Sequence, residues 1–256
     1  MTKFFQTVFS RYPIKTKRSL ELLPGFVSWA LILFPVWGSL VIPYIVAYFI
    51  VFFDIYWLYK SFSLSATAFI ASRKIKKAEG IDWLERTKTL KNWNRVYHVI
   101  IIPNYKETVS KLRQTLKAIA SQTFPKRKII VVLAMEKREE DAITKANALI
   151  DEFKVNFGQI FATYHPDVPN EVKGKSSNEA FAGRIVYKKL IENGPIDINF
   201  ATVSSVDADS IFDRQYFSYL AFKFLSDTNP YNKFWQSANV NYNNFWNVPA
   251  PIRIIA

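Results

Sequence analysis

From Leu22 to Phe53 the chain runs for 32 residues without a charged side chain, and past Asp54 the apolar character resumes in Ile55, Tyr56, Trp57, Leu58 and Tyr59. As one helix the charge-free stretch is about 48 Å long, against a bilayer hydrocarbon core of about 30 Å, so a single upright span does not accommodate it. Helix breakers lie between Gly38 and Pro43. A cut there gives two segments, 22–38 and 39–59, each near the length needed to cross a membrane. Lys3, Arg11, Lys15, Lys17 and Arg18 precede the pair, and Lys60, Arg73, Lys74, Lys76 and Lys77 follow it. A transmembrane helical hairpin keeps both basic clusters in the cytoplasm, whereas one span places one of them outside. A cleaved signal peptide is shorter and ends in a small-residue cleavage site, which is not seen here. A buried helical hairpin of a soluble protein is the competing reading. Trp29, Trp37, Tyr44, Tyr56, Trp57 and Tyr59 suit interfacial anchoring.

The formal charge of +13 alone points to a polyanionic partner. Its distribution chooses among such partners. Residues 1–25 and 60–96 hold 14 basic and 4 acidic side chains, so most of the excess flanks the apolar run, where it would meet a lipid bilayer rather than nucleic acid. The chain has no Cys, which excludes disulfides, thiolate zinc sites and Cys nucleophiles. With only His98 and His165 a multi-histidine metal site is excluded too. Any metal must rely on carboxylates, which favours Mg²⁺ or Mn²⁺. Neither GxGxxG nor GxxxxGK[ST] occurs, so the glycine-cradle nucleotide folds lose their main signature.

Beyond a basic, amphipathic connector over 60–96, the pattern alternates between strand and helix. Val99 to Pro103 and Ile129 to Leu133 are short, β-branched apolar runs of the kind buried in parallel sheets. Ile160 to Tyr164 and Phe200 to Val206 read as two more strands. Helical spacing appears over Thr108 to Ser121, Glu139 to Phe153 and Ser177 to Ile191. This order predicts an α/β domain with a doubly wound, mostly parallel sheet over 97–256, preceded by a basic segment over 1–21 and the hairpin over 22–59. Such sheets bind ligands at the carboxyl ends of their strands, where the polar clusters Asn104 to Glu107, Ala134 to Glu136 and Asp207 to Asp209 fall. Asp207 and Asp209 are two residues apart in extended chain, so their carboxylates point the same way and Ala208 the other. Two anions held so close call for a divalent cation or a shared proton; the bland alternative is a solvated turn.

The ordered set of Val99 to Glu107 (VIIIPNYKE), Ser121 to Pro125 (SQTFP), the IIVVL strand, Lys173 to Asn178 (KGKSSN) and Asp207-Ala208-Asp209 resembles the family 2 glycosyltransferases. The resemblance is strongest to membrane-bound members similar to cellulose and hyaluronan synthases, and covers roughly residues 22 to 256. It implies a cytoplasmic GT-A domain in a multi-pass cell-membrane protein, a nucleotide-sugar donor, a lipid-linked or polysaccharide acceptor, and Mg²⁺ or Mn²⁺ held by Asp207 and Asp209. Pro103, Asn104, Tyr105 and Glu107 match the family's segment that opens the nucleotide pocket; Glu107 alternatively caps the next helix. The family's Asp pair after the second strand is missing, and Glu136 stands nearest its place. Lys175 and Asn178 are similar to residues preceding the donor-binding helix, with Lys175 either facing diphosphate or simply exposed, and Asp207 completes the donor set. Trp235, Gln236, Asn239 and Asn241 resemble the border of the acceptor channel, although such aromatics also serve as core. The family's general base and its Gln/Arg-x-x-Arg-Trp segment are not found, and the apolar ending Ile252 to Ala256 raises the expectation of further chain. His165 and Asp167 read as structural. Asp213 and Asp227 are further acids to consider as a base. A catalytically inactive membrane scaffold that kept the α/β fold is the rival reading.

Overall fold

The computed structural model describes residues 13–169, 171–238 and 249. The chain divides after Glu79 into a helical unit and an α/β unit.

The helical unit comprises α1 (Pro13–Ile32), α2 (Phe34–Ser39) and α3 (Pro43–Glu79). Both breaks fall at prolines. Pro35 lies in the first turn of α2 and Pro43 opens α3, positions where the missing N–H is not needed by the helix being started. The expected cut therefore appears at residues 40–42, but the expected first segment, 22–38, is itself divided at Leu33. Gly38 lets the turn close, since a Cβ there would lie 2.8 Å from the Phe34 ring and 2.9 Å from Val46. Helix α3 has 37 residues, is about 55 Å long, and buries only Val46. It has a mean hydropathy of 1.4 over its most apolar window and is, among the described residues, the one helix long and apolar enough to cross a membrane. It also runs through Tyr59 unbroken, so residue 60 marks a change of composition and not a structural boundary.

The α/β unit begins at Gly80, ahead of the residue 97 that the sequence pattern suggests. Helix α4 (Trp83–Lys88) starts at Asp82, whose carboxylate accepts from the Glu85 N–H at 3.1 Å. The Trp83 N–H donates to Gln215 Oε1 at 2.6 Å, Thr87 Oγ1 donates to the Ser218 carbonyl at 2.8 Å, and the Trp83 ring packs on Tyr219 and Phe222. These partners lie more than 130 residues away in sequence.

Among the described residues four strands follow: β1 (Tyr97–Asn104), β2 (Ile129–Glu136), β3 (Gln159–His165) and β4 (Ala201–Ser205). They form one parallel sheet in the order β3-β2-β1-β4, with Ile100 paired to Val131 on one side and to Ser204 on the other. All eight residues of β2 are buried, and this is why its apolar run shows no alternation. One face, carrying Ile100, Ile102, Val131 and Leu133, packs against α5 (Val109–Ala120), α6 (Ala142–Phe153) and α8 (Tyr216–Ser226) through Leu116, Leu149 and Phe217. The other face, carrying Val99, Ile101, Ile130 and Val132, packs against α7 (Lys175–Val186) and the wide helical turn after it through Ala182, Val186 and Leu190. Because all the pairings are parallel, every connection between strands crosses over, and the strands' carboxyl ends lie along one rim.

Candidate functional site

That rim holds an open cleft of about 430 Å³. Every donor-site residue expected from sequence lines it: Pro103, Asn104, Tyr105 and Glu107 after β1, Glu136 at the end of β2, Lys175 and Asn178 from α7, and Asp207 after β4. Asp209, expected as a metal ligand, lines it as well, and so do Arg138 and Gly174, which the sequence did not single out.

The Asp207–Asp209 segment is not extended as expected: β4 ends at Ser205, Ala208 and Asp209 form a turn, and both carboxylates reach the cleft from that turn instead of from one side of a strand. Both carboxylates are exposed, whereas Ala208 is buried and its carbonyl accepts from Thr115 Oγ1 of α5 at 2.9 Å. The Ser210 N–H closes a turn onto the Asp207 carbonyl at 3.1 Å. Lys175 Nζ donates to Asp207 Oδ1 at 2.5 Å and lies 3.6 Å from Glu179. The hydrogen bond it donates to Asp207 is the main cause that holds the Lys175 ammonium above its usual range. Both side chains are half-exposed or more, so this pair contributes little stability and separates readily.

Tyr105 is partly exposed, with the Arg138 guanidinium 4.1 Å from its ring centre and Lys106 on the same ring. Arg138 also reaches Glu136 at 3.3 Å, and Glu136 is buried beside His165 Nδ1 at 3.5 Å. His165 meets Glu171 at 3.2 Å through Nε2, and Asp167 pairs with Lys173 at 2.6 Å, so both are tied into the loop after β3 as structural residues. Glu107 does not cap α5. Thr108 does so, accepting from the Lys111 N–H at 3.3 Å, while Glu107 pairs with Lys111 at 2.8 Å. Asn178 donates to the Ala134 carbonyl at 2.7 Å, which fixes its amide orientation and leaves its buried Oδ1 without a partner. Lys106 has a φ of 62°, a left-handed conformation that costs a non-glycine residue on the order of 1–3 kcal/mol and is held only where the surroundings impose it.

Other expected positions lie elsewhere. Trp235 packs edge-on to Phe224 against the core and Gln236 is exposed; Asn239 and Asn241 lie outside the described residues. Asp213 accepts from the Gln215 N–H and Asp227 pairs with Lys233 at 2.7 Å; neither lines the cleft. Gln122, within the SQTFP segment, bonds the Asp213 carbonyl and the Phe217 N–H, and so ties the start of α8 to the end of α5.

The two exposed carboxylates fit a hard divalent ion. Among the described residues no group of three or more His, Asp or Glu gathers for a metal. Mg²⁺ and similar ions commonly take one or two carboxylates and complete their shell with water and substrate phosphates, so this sparse set is compatible with an ion that arrives with a diphosphate.

No family model and no curated protein matches the chain. Among solved structures it is similar to S. aureus TarS, at 14% identity and a TM-score of 0.34, over 50% of this chain and 19% of that one. It is also similar to the mannosyltransferase PcManGT from Pyrobaculum calidifontis, determined with GDP-Man and Mn²⁺, at 19% identity and a TM-score of 0.37, over 62% of this chain and 44% of that one. The chain spans less than half the length of either protein.

Proposed function

We propose that the protein is a membrane-bound, divalent-metal-dependent, inverting glycosyltransferase that moves a sugar from a nucleotide-sugar to a lipid-linked or polysaccharide acceptor. One observation carries this reading: strand-end residues scattered over more than a hundred positions, from Pro103 to Asp209, line a single cleft at the carboxyl rim of a parallel sheet. Tyr105 with Arg138 offers a flat cationic platform for a base, and Glu136 offers an acceptor beside it. Lys175 is placed to neutralise a diphosphate after releasing Asp207. Asp207 and Asp209 would hold Mg²⁺ or Mn²⁺, which when bound stabilises the charge that develops on the departing nucleoside diphosphate. The chain's own residues then orient the anomeric carbon for in-line attack by the acceptor hydroxyl.

Calorimetric titration with UDP-sugars and GDP-sugars, with and without Mn²⁺, tests this directly. Metal-enhanced binding of one nucleotide class is expected; no binding of either class would favour the inactive scaffold.

For the membrane, we propose that α1 and α2 together form the first arm of a hairpin and α3 the second. The basic side chains that follow Tyr59 along α3 then extend into the headgroup layer on the cytoplasmic side, as would those at the start of α1. Topology reporters fused at residue 15 and at residue 96 should report the same side. Opposite sides would mean that α3 crosses alone.

A further inference from the structure

We infer that Lys145 and Glu139, which lie outside the lining of the cleft, are positioning residues that clamp the Asn104–Glu107 loop; the inference rests on that loop being part of the donor pocket. The loop leaves β1 through the left-handed Lys106, a conformation that the chain does not adopt unaided. Both its ends are tied to one buried ion pair. Lys145 Nζ, on α6, is paired with Glu139 and also donates to the Glu107 carbonyl at 2.8 Å. The other Glu139 oxygen accepts from Asn104 Nδ2 at 3.2 Å. Lys145 and Glu139 are each 6% exposed and Asn104 is 2% exposed, and Asp141 lies 3.8 Å from the ammonium.

A buried ion pair is a poor source of net stability, because desolvation offsets most of the attraction. What it supplies here is geometry. A side chain acceptor meets the first residue of the loop and a side chain donor meets the last, so Tyr105 and Lys106 are presented between two fixed points. Arg138, next to Glu139 in the chain, stacks on Tyr105 from the same segment. The segment from Glu136 to Lys145 therefore sets the shape of the base platform.

The test compares the whole chain with Lys145→Met/Glu139→Met, which removes both charges at similar volume, with Glu139→Gln, which keeps size and one acceptor, and with Lys145→Arg, which keeps the cation. In ligand-free protein, amide hydrogen exchange at Tyr105, Lys106 and Glu107 should rise about ten-fold in the double variant while β2 and α5 stay unchanged. Glu139→Gln should move the same amides in the same direction by less, so the result does not depend on the double variant folding. Lys145→Arg should restore near-original exchange. The Kd for UDP or GDP with Mn²⁺, whichever the original protein binds, should rise about ten-fold in step with loop exchange. Unchanged loop exchange in folded Glu139→Gln and in the folded double variant would overturn the clamp. Failure of the original protein to bind either nucleotide would instead overturn the donor-pocket reading, and the exchange data would still decide the clamp.

Discussion

Asp209→Asn is expected to remove the Mn²⁺-dependent part of nucleotide binding, weakening it at least about ten-fold, while the thermal midpoint stays where it was. The two halves of that result come from one structural fact. Asp209 is exposed at the rim and packs into no core, so its substitution touches none of the burial that holds the sheet, whereas buried Ala208 beside it is anchored through Thr115. The amide keeps the size of the carboxylate but loses the anionic oxygen that a hard divalent ion requires. Asp207 and Asp209 are the two carboxylates proposed to hold the ion, so the loss of one removes half of that pair's anionic contribution. Lys175→Met should move metal and nucleotide in opposite directions: Mn²⁺ alone binds more tightly because the competing ammonium is gone from Asp207, and nucleotide binds more weakly because a cation for the diphosphate is gone. Titration of each variant with Mn²⁺ alone and then with nucleotide separates the effects. Asp209→Asn with unchanged Mn²⁺ enhancement would leave the segment a surface turn with no part in metal binding.

The second large effect is acid destabilisation through His98. Its ring lies at the start of β1, fully buried against Phe124 and Phe217, with Nδ1 2.6 Å from Thr202 Oγ1 on β4. Burial pushes its pKa down to about 3, from 6.5 in the unfolded chain. The fold requires the neutral ring, so stability is unaffected above about pH 6.5 and falls as the pH drops from there towards 3, because the unfolded chain takes up a proton that the native state refuses. The slope is roughly 1.4 kcal/mol per pH unit, or about 2–3 kcal/mol lost by pH 4.5. Asp167 and Asp227, held low chiefly by hydrogen bonds from Lys173 and Lys233, lose their contribution only at lower pH, below the ordinary carboxylate range. Urea unfolding of the original chain and of His98→Leu at pH 7 and pH 4.5 checks this. The variant should be about 1 kcal/mol weaker at pH 7, for want of the Thr202 hydrogen bond, and should lose far less than the original on acidification. Equal losses in both would place the acid sensitivity elsewhere.

The strands were legible because parallel strands covered on both faces leave unbroken apolar runs, and VIIIP and IIVVL are such runs. The polar groups just beyond β1, β2 and β4 are legible for a related reason, since past a located strand end they lie on the rim, whereas Lys175 and Asn178, at the start of α7, are legible only through the family resemblance. Arg138, Glu139 and Lys145 were not, because KREEDAITK reads as a solvated, charge-rich helix start and only tertiary packing buries two of its charges. Likewise, Trp83 and Thr87 look like part of an amphipathic connector until Gln215 and Ser218 are brought to them from the far end of the chain. In the stretch 22–59 the break at Pro43 is legible in the sequence, but a second break follows from Pro35, which interrupts the preceding turn at Leu33.

The strand order β3-β2-β1-β4 also dictates a sequence of events during synthesis. β1 can pair with β2, and β2 with β3, as soon as they emerge, but the other edge of β1 pairs with β4, about a hundred residues later. At roughly 5–20 residues per second, that edge of Val99 to Ile101 waits about 5–20 s for its neighbour. An apolar strand edge is a template for any other strand during that interval. The Asp207–Asp209 rim is therefore completed last among the strand ends, and the same pairing that covers the apolar edge of β1 also brings the final wall of the cleft into place.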